Sequence, residues 1–246
     1  MMKQENSIQY KVYGKYALFT DPLTKIGGER FSYEIPTYSA LKGITESIYW
    51  KPTFTWIIDE CKIMKPIQTQ SMGIRPIHYH SRGNDLSIYT YLYDVEYLVK
   101  AHFEWNENRP DLSGDRKKSK HLDIAKRMVE KGGRRDIFLG TRECHAYVEP
   151  CDYENVSSIP YGNIAQRAFG VMVHGITYPD EQTSPKFKGK MTVRLWKPVM
   201  KNGIIHFERP DSSDMIVRVI GDRNQKNFVY GENFSGLSEF DEKGVF

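Results

Sequence analysis

Eleven consecutive residues, Val95 to Trp105, keep a period of two. Val95, Tyr97, Val99, Ala101, Phe103 and Trp105 alternate with Glu96, Leu98, Lys100, His102 and Glu104. Only an extended chain puts every second side chain on one face. The segment is therefore a strand with one face against a second layer. After the loop Asn106–Asp115, the apolar period changes to that of a helix: Leu122, Ala125, Met128 and Val129 form one stripe. Ser119 is the expected N-cap and Gly132-Gly133 the expected C-terminal stop. A one-faced strand followed by a one-faced helix restricts the fold to a sheet with helices on one side.

The rest of the first 150 residues completes this pattern. Ile8 to Phe19 reads as a strand, then a loop broken by Pro22 and Gly27-Gly28. Thr37, Leu41, Ile44 and Ile48 fall at helical spacing, which predicts a helix from about Tyr38 to Tyr49 with Pro52 beyond its end. The aromatic run Pro52–Ile63 reads as a strand. "LSIYTYLYD" (Leu86–Asp94) is the expected hairpin partner of the alternating strand, and Arg135–Pro150 returns as a strand. The order βαββαβ predicts an α+β chain with a ferredoxin-like (RRM-like) domain over residues 1–150. Beyond Pro150, "AFGVMVHGITYP", "KMTVRLWKP" and "GIIHFERP" read as strands without helical patterns, with a hairpin turn at Met200–Gly203. Residues 151–246 are thus expected to form a small antiparallel β-sheet domain with a polar, poorly ordered tail after Gly221.

The 246 residues are 39% hydrophobic and carry 12 Phe, 4 Trp and 16 Tyr, enough to build a core. No run of 18 apolar residues spans a membrane, and "MMKQENSIQY" lacks the apolar stretch of a secretory signal. The three cysteines, Cys61, Cys144 and Cys151, match neither a disulfide framework nor a zinc pattern. The expectation is a cytoplasmic protein with reduced thiols and no membrane partner.

Charge is distributed unevenly. Residues 116–135 hold nine bases (Arg116, Lys117, Lys118, Lys120, Lys126, Arg127, Lys131, Arg134, Arg135) against two acids, Asp123 and Glu130. The segment carries +7, while the whole chain, with 35 bases and 31 acids, carries +4. A solvated helix face is the plain explanation of such a run. The alternative is a phosphate-binding surface, because clustered cations release counterions from a polyanion. On that reading Arg116, Lys117, Lys118, Lys126, Arg127, Arg134 and Arg135 contact RNA, and the Gly132-Gly133 turn leaves amides open to phosphate. Duplex DNA is a possible non-specific partner, since backbone contacts are not sequence-selective.

His121 follows Lys120 inside this segment. Neighbouring cations lower a histidine's proton affinity, which keeps neutral imidazole available near pH 7. Such an imidazole can take the proton of a ribose 2′-hydroxyl, and an ammonium beside it can offset charge on a phosphate. By itself "KH" is a weak motif, and a histidine decorating a helix start is the favoured account of the dipeptide alone. His78 and His80 are spaced for a metal, but no acid or thiol companion has ligand spacing, so no metal or other cofactor is expected. His102, His145, His174 and His206 read as structural.

Three blocks carry a resemblance: "YGKYALFTDPLTKIGGERFSYEIPTYSALKGITESIYWKP", "KPIQTQSMGIRPIHY" and "KGGRRDIFLGTREC", continued by "MVHGITYPDE" and "VRLWKPVMKNGIIHFERP". They closely resemble the CRISPR-associated Cas-five family of the type I-C (Dvulg) branch, within the RAMP group of RNA-binding proteins. The resemblance implies an endoribonuclease that cuts CRISPR precursor RNA in its repeat without a metal, leaving a 2′,3′-cyclic phosphate. It implies that the enzyme then stays on the crRNA 5′ handle, beside the backbone and large subunits of a type I-C surveillance complex. A capping subunit that binds and does not cut is the alternative. The family's catalytic set is a tyrosine at the end of the first helix plus a Lys-His pair opening the second. Here these are Tyr49 of "ESIYWKP", and Lys120 and His121 of "KKSKHLD".

Overall fold

The computed structural model describes residues 6–76, 83 and 86–221. In chain order the elements are β1 (Ser7–Ala17), β2 (Arg30–Phe31), α1 (Tyr38–Ile48), β3 (Phe54–Ile63), β4 (Thr69–Ile74), β5 (Ser87–Trp105), α2 (Lys118–Glu130), β6 (Ile137–Phe138), β7 (His145–Glu149), β8 (Arg167–Ala168), β9 (Met172–Thr177), β10 (Met191–Trp196), β11 (Val199–Lys201), β12 (Ile204–His206) and β13 (Ile216–Gly221). The chain is a mixed α/β structure, mostly antiparallel sheet with two α-helices among the described residues. The polar tail after Gly221, His78 and His80 lie outside them.

The main sheet runs β6-β7-β1-β5-β3-β12-β11-β8, with β2 and β4 also paired to β5. β1 is antiparallel to both β5 and β7, and β3 is antiparallel to β5. Past residue 150, β12 pairs with β3, so β8, β11 and β12 extend the same sheet. β9, β10 and β13 form a separate three-stranded sheet. The Met200–Gly203 turn closes β11 on β12 as expected, with Asn202 (φ 49°) and Gly203 (φ 80°) both left-handed, the geometry a two-residue hairpin turn requires.

Two strand expectations are corrected. Arg135–Pro150 is not one strand but the short antiparallel pair β6 and β7. Leu86–Asp94 is not a hairpin partner of the alternating strand. It is the first half of the same 19-residue β5. Asp94 adopts φ 52° and bends the strand without reversing it, while Lys65 holds its carboxylate at 2.6 Å. The first half of β5 pairs instead with β4, from Thr69↔Leu92 to Ile74↔Ser87.

The inward residues of β1, β3 and β5 pack against the helices. Tyr10, Trp56, Phe54 and Phe103 are almost wholly buried, with Leu41, Ile44 and Ile48 of α1 and Ala125 and Val129 of α2. Each large apolar side chain removed from water contributes about 1.5–3 kcal/mol. Thr37 caps α1, its hydroxyl accepting from the Ala40 amide at 3.1 Å. Tyr49 leaves the helix with extended backbone (φ −159°), and the Trp56 indole N–H donates to the Tyr49 carbonyl at 2.7 Å. That bond ties the exit of α1 to the sheet.

Candidate active site

α1 and α2 are separated in sequence by three strands, yet the sheet brings two of their ends together. The Tyr49 hydroxyl lies 2.9 Å from Nδ1 of His121, across 72 positions of chain. Both side chains are buried, His121 completely. The imidazole sits in an aromatic cage, its ring 5.2 Å from Phe54, 5.9 Å from Trp105 and 6.4 Å from Phe103. Phe54 and Trp105 face each other across β3 and β5, so the last rung of that ladder forms the floor of the site.

The hydrogen bonds fix the tautomer. Nε2 of His121 is 2.8 Å from the Asp115 carbonyl, which can only accept, so Nε2 carries the proton. In the neutral ring Nδ1 is then the acceptor, and Tyr49 donates to it. Burial, with a smaller contribution from the Asp115 carboxylate, raises the Tyr49 phenol above its ordinary value of about 10, while Arg134 opposes. Tyr49 is a protonated donor across the physiological range.

Asp115 closes the other side. It ends a 3₁₀ turn, Pro110–Asp115, that leads into α2. One carboxylate oxygen bonds the Lys120 ammonium; the other accepts from the Thr53 hydroxyl at 3.2 Å and lies 3.4 Å from Nε2 of His121. The hydrogen bond from Lys120 leads in holding the Asp115 carboxyl below the ordinary carboxylate value. Sequence reasoning missed both Asp115 and Thr53. The one available signal was an acid at the threshold of a strongly basic segment.

The predicted RNA-binding residues do not all stand alike. Lys117, Lys118, Lys126, Arg127, Arg134 and Arg135 are exposed. Arg116 is half-buried and uses its guanidinium inside the turn, on Glu107 at 3.1 Å and the Asn106 carbonyl at 3.0 Å. The Gly132 and Gly133 amides are not open to phosphate, which corrects that expectation: they bond the Val129 and Met128 carbonyls and close α2. Beyond them the Arg134 and Arg135 amides bond the Ser47 carbonyl at the end of α1. The turn is thus a clamp between helix ends. Ser119 is not the N-cap of α2 either. The helix begins one residue before it, at Lys118, with Lys117 in the N-cap position and no side chain capping it.

Residues 7–208 match the protein family described as CRISPR-associated protein (Cas_Cas5). The chain belongs to this Cas5d family. Two curated relatives are each named CRISPR pre-crRNA endoribonuclease Cas5d. The one from Mannheimia succiniciproducens is 27% identical, over 81% of this chain and 94% of its own. The one from Thermus thermophilus is 29% identical, over 74% of this chain and 79% of its own. A solved structure described as a CRISPR-associated protein is 39% identical with a TM-score of 0.72, covering 89% of this chain and 99% of its own. A functionally uncharacterized Streptococcus mutans protein is 42% identical with a TM-score of 0.70, covering 86% and 96%.

Other features of this family member lie apart from Tyr49 and His121. A cavity of about 700 Å³ opens between α1, the ends of β3 and β5, and the three-stranded sheet, lined by Tyr38, Lys42, Trp105, Arg194 and Arg209 among others. Trp105 is common to both places, but neither Tyr49 nor His121 lines it. No cluster of His, Cys, Asp and Glu suited to a metal occurs among the described residues. Among them, too, no helix is long and apolar enough to cross a membrane.

Proposed function

We propose that this chain is a metal-independent endoribonuclease that cuts CRISPR precursor RNA within the repeat. The single observation that carries the reading is the 2.9 Å contact between Tyr49 and His121, beside Lys120 and within a basic surface. RNA supplies its own nucleophile. The 2′-oxygen attacks the adjacent phosphorus, the bond from phosphorus to the 5′-oxygen breaks, and a 2′,3′-cyclic phosphate remains. One proton leaves the 2′-hydroxyl and one is delivered to the departing 5′-oxygen. His121, protonated at Nε2, delivers the second and water takes the first; Lys120 offsets charge on the five-coordinate phosphorus, and Tyr49 orients the imidazole and donates to it. One acid-base group is worth about 10²–10⁴ in rate, sufficient for an enzyme that makes one cut per repeat. The curated relatives' names, pre-crRNA endoribonuclease, support this reading.

We infer further that residues 1–150 are a ferredoxin-like domain, supported by the strand order β7-β1-β5-β3, and that residues 151–246 are a second unit centred on β9, β10 and β13, from which β8, β11 and β12 reach back to extend the first unit's sheet. After cleavage the protein holds the crRNA 5′ handle among the backbone and large subunits of a type I-C surveillance complex, with Lys117, Lys118, Lys126, Arg127, Arg134 and Arg135 toward the RNA. Its place is the cytoplasm.

A second reading, a crRNA-binding cap that does not cut, is favoured by one observation: His121 exposes no surface and both its nitrogens are engaged. Repeat RNA incubated in EDTA decides between them. The nuclease cuts it, fails on a strand with hydrogen at the scissile 2′ position, and loses cleavage but not binding as His121→Ala. Uncut RNA under all conditions leaves only the cap.

A further inference from the structure

A general acid or base must come within hydrogen-bond reach of the proton it moves. In this structure no RNA atom can approach His121. Nδ1 is taken by Tyr49, Nε2 by the Asp115 carbonyl, and the cage of Phe54, Phe103 and Trp105 covers the ring. Of these covers Tyr49, Phe54 and Phe103 are core residues, while Asp115 and Trp105 are half-exposed; Trp105 only flanks the ring, and Asp115 alone holds Nε2 from a surface turn. Asp115 is the group that must leave.

What Asp115 holds is informative. Its carboxylate presents two oxygens and one negative charge to the Lys120 ammonium, the Thr53 hydroxyl and, at 3.4 Å, Nε2 of His121. A phosphodiester presents two non-bridging oxygens and one negative charge. We propose that Asp115 occupies the place of the scissile phosphate, and that RNA enters by exchanging its phosphate for this carboxylate on Lys120, Thr53 and His121. This rests on the nuclease reading of the same residues. It adds two residues to it: Asp115 as an internal competitor that sets substrate affinity, and Thr53 as a donor to the phosphate.

The exchange is balanced in charge. One anion replaces another, so the half-exposed Lys120 and the buried imidazole keep an anionic acceptor beside them. A neutral ligand that displaced Asp115 would leave the half-exposed ammonium to water and gain no ion pair in return. The same logic accounts for an acid at the mouth of a segment otherwise built to attract polyanions. Thr53 is buried on the strand side of the turn, so its hydroxyl stays in place when Asp115 moves. The Asp115 carbonyl leaves with its side chain, which frees the Nε2–H to donate to the leaving oxygen.

The test uses the full chain and repeat RNA with hydrogen at the scissile 2′ position, so that binding is read without cleavage. Fluorescence anisotropy is expected to show Asp115→Ala binding roughly two- to fivefold tighter than wild type, the range of a half-exposed ion pair, with Asp115→Asn between them. Thr53→Val is expected to bind more weakly and Thr53→Ser like wild type. Without RNA, diethyl pyrocarbonate labelling read by mass spectrometry should find His121 slow in wild type and faster in Asp115→Ala, where the turn loses the Lys120 and Thr53 bonds that hold the Asp115 carbonyl on Nε2, with exposed His145 and His206 as internal references. Asp115→Asn keeps the size and the Thr53 bond, so it supplies the answer if Asp115→Ala melts early. Unchanged or weaker binding in a variant that melts like wild type, with His121 still slow to label, overturns the proposal. Cleavage of all-ribose repeat RNA is run in parallel. Wild type that binds the deoxy strand yet leaves the ribose strand whole defeats the nuclease reading, while the anisotropy still judges Asp115.

Discussion

At the scale of residues, the Tyr49 hydroxyl is the most exacting part of the site. It is the one donor to Nδ1, and that bond leaves the His121 proton on Nε2, toward the side where Asp115 now lies. Tyr49→Phe keeps the ring among Phe54 and His121 and removes only this bond. A hydrogen bond of this kind is worth about 1 kcal/mol or somewhat more. The expected result is repeat cleavage reduced at least about tenfold, with affinity for the 2′-deoxy strand within about twofold. Equal cleavage would remove Tyr49 from the chemistry. The sequence makes Tyr49, Lys120 and His121 visible because they stand at helix ends, inside recognisable blocks. Asp115 and Thr53 are invisible there. Their meeting depends on how an aperiodic ten-residue loop folds back over the sheet, and no period or spacing encodes that path.

At the scale of elements, the two joints that place α1 differ in what the sequence reveals. The Gly132-Gly133 stop was legible as a helix end, but not as a clamp that delivers the Arg134 and Arg135 amides to α1. Gly133 sits at φ 110°, and a Cβ there would meet Ile137 at 3.1 Å and the Arg135 carbonyl at 3.2 Å. Gly133→Ala is therefore expected to lower stability by about 1–2 kcal/mol and to reduce cleavage more than binding, because the clamp ends one residue from Tyr49. Thermal melts and single-turnover rates check both. The second joint is the stack of Tyr38 on His174, 4.3 Å between ring centres, which fastens the three-stranded sheet to α1. Burial, reinforced by Arg194, pushes His174 down to about 3. The Arg194 Nε–H donates to its Nδ1 at 3.2 Å, which keeps the ring neutral. Between pH 6.5 and about 3 the unfolded chain holds a proton here that the folded chain refuses. Stability therefore falls on acidification through that window, by up to about 1.4 kcal/mol per pH unit. His174→Gln retains an acceptor and a donor without titrating. Its melting temperature should fall less steeply than wild type from pH 6.5 to 4.5; parallel curves would mean that His174 carries none of the slope.

At the scale of the whole molecule, charge sets the proposed RNA face apart from the rest. The segment 116–135 carries +7 in a chain of +4, so everything else sums to −3. A polyanion is drawn to one face and turned away from the others, and on that face the exposed Lys126 and Arg127 of α2 point into solvent. Each cation that touches a single-strand phosphate adds about 0.7 to the slope of log affinity against log salt. The double variant Lys126→Ala, Arg127→Ala should therefore bind repeat RNA more weakly and lose about 1.4 units of slope if both cations touch phosphates, with its melting temperature near that of wild type. Lys188→Ala, Lys197→Ala removes the same charge from exposed positions in the C-terminal half. If net charge alone governed binding, the two pairs would behave alike. If the face governs it, only the first lowers the slope, and titrations from 50 to 300 mM salt distinguish these cases. An equal loss of slope in both would return the basic segment to what its composition first suggests, a solvated helix face.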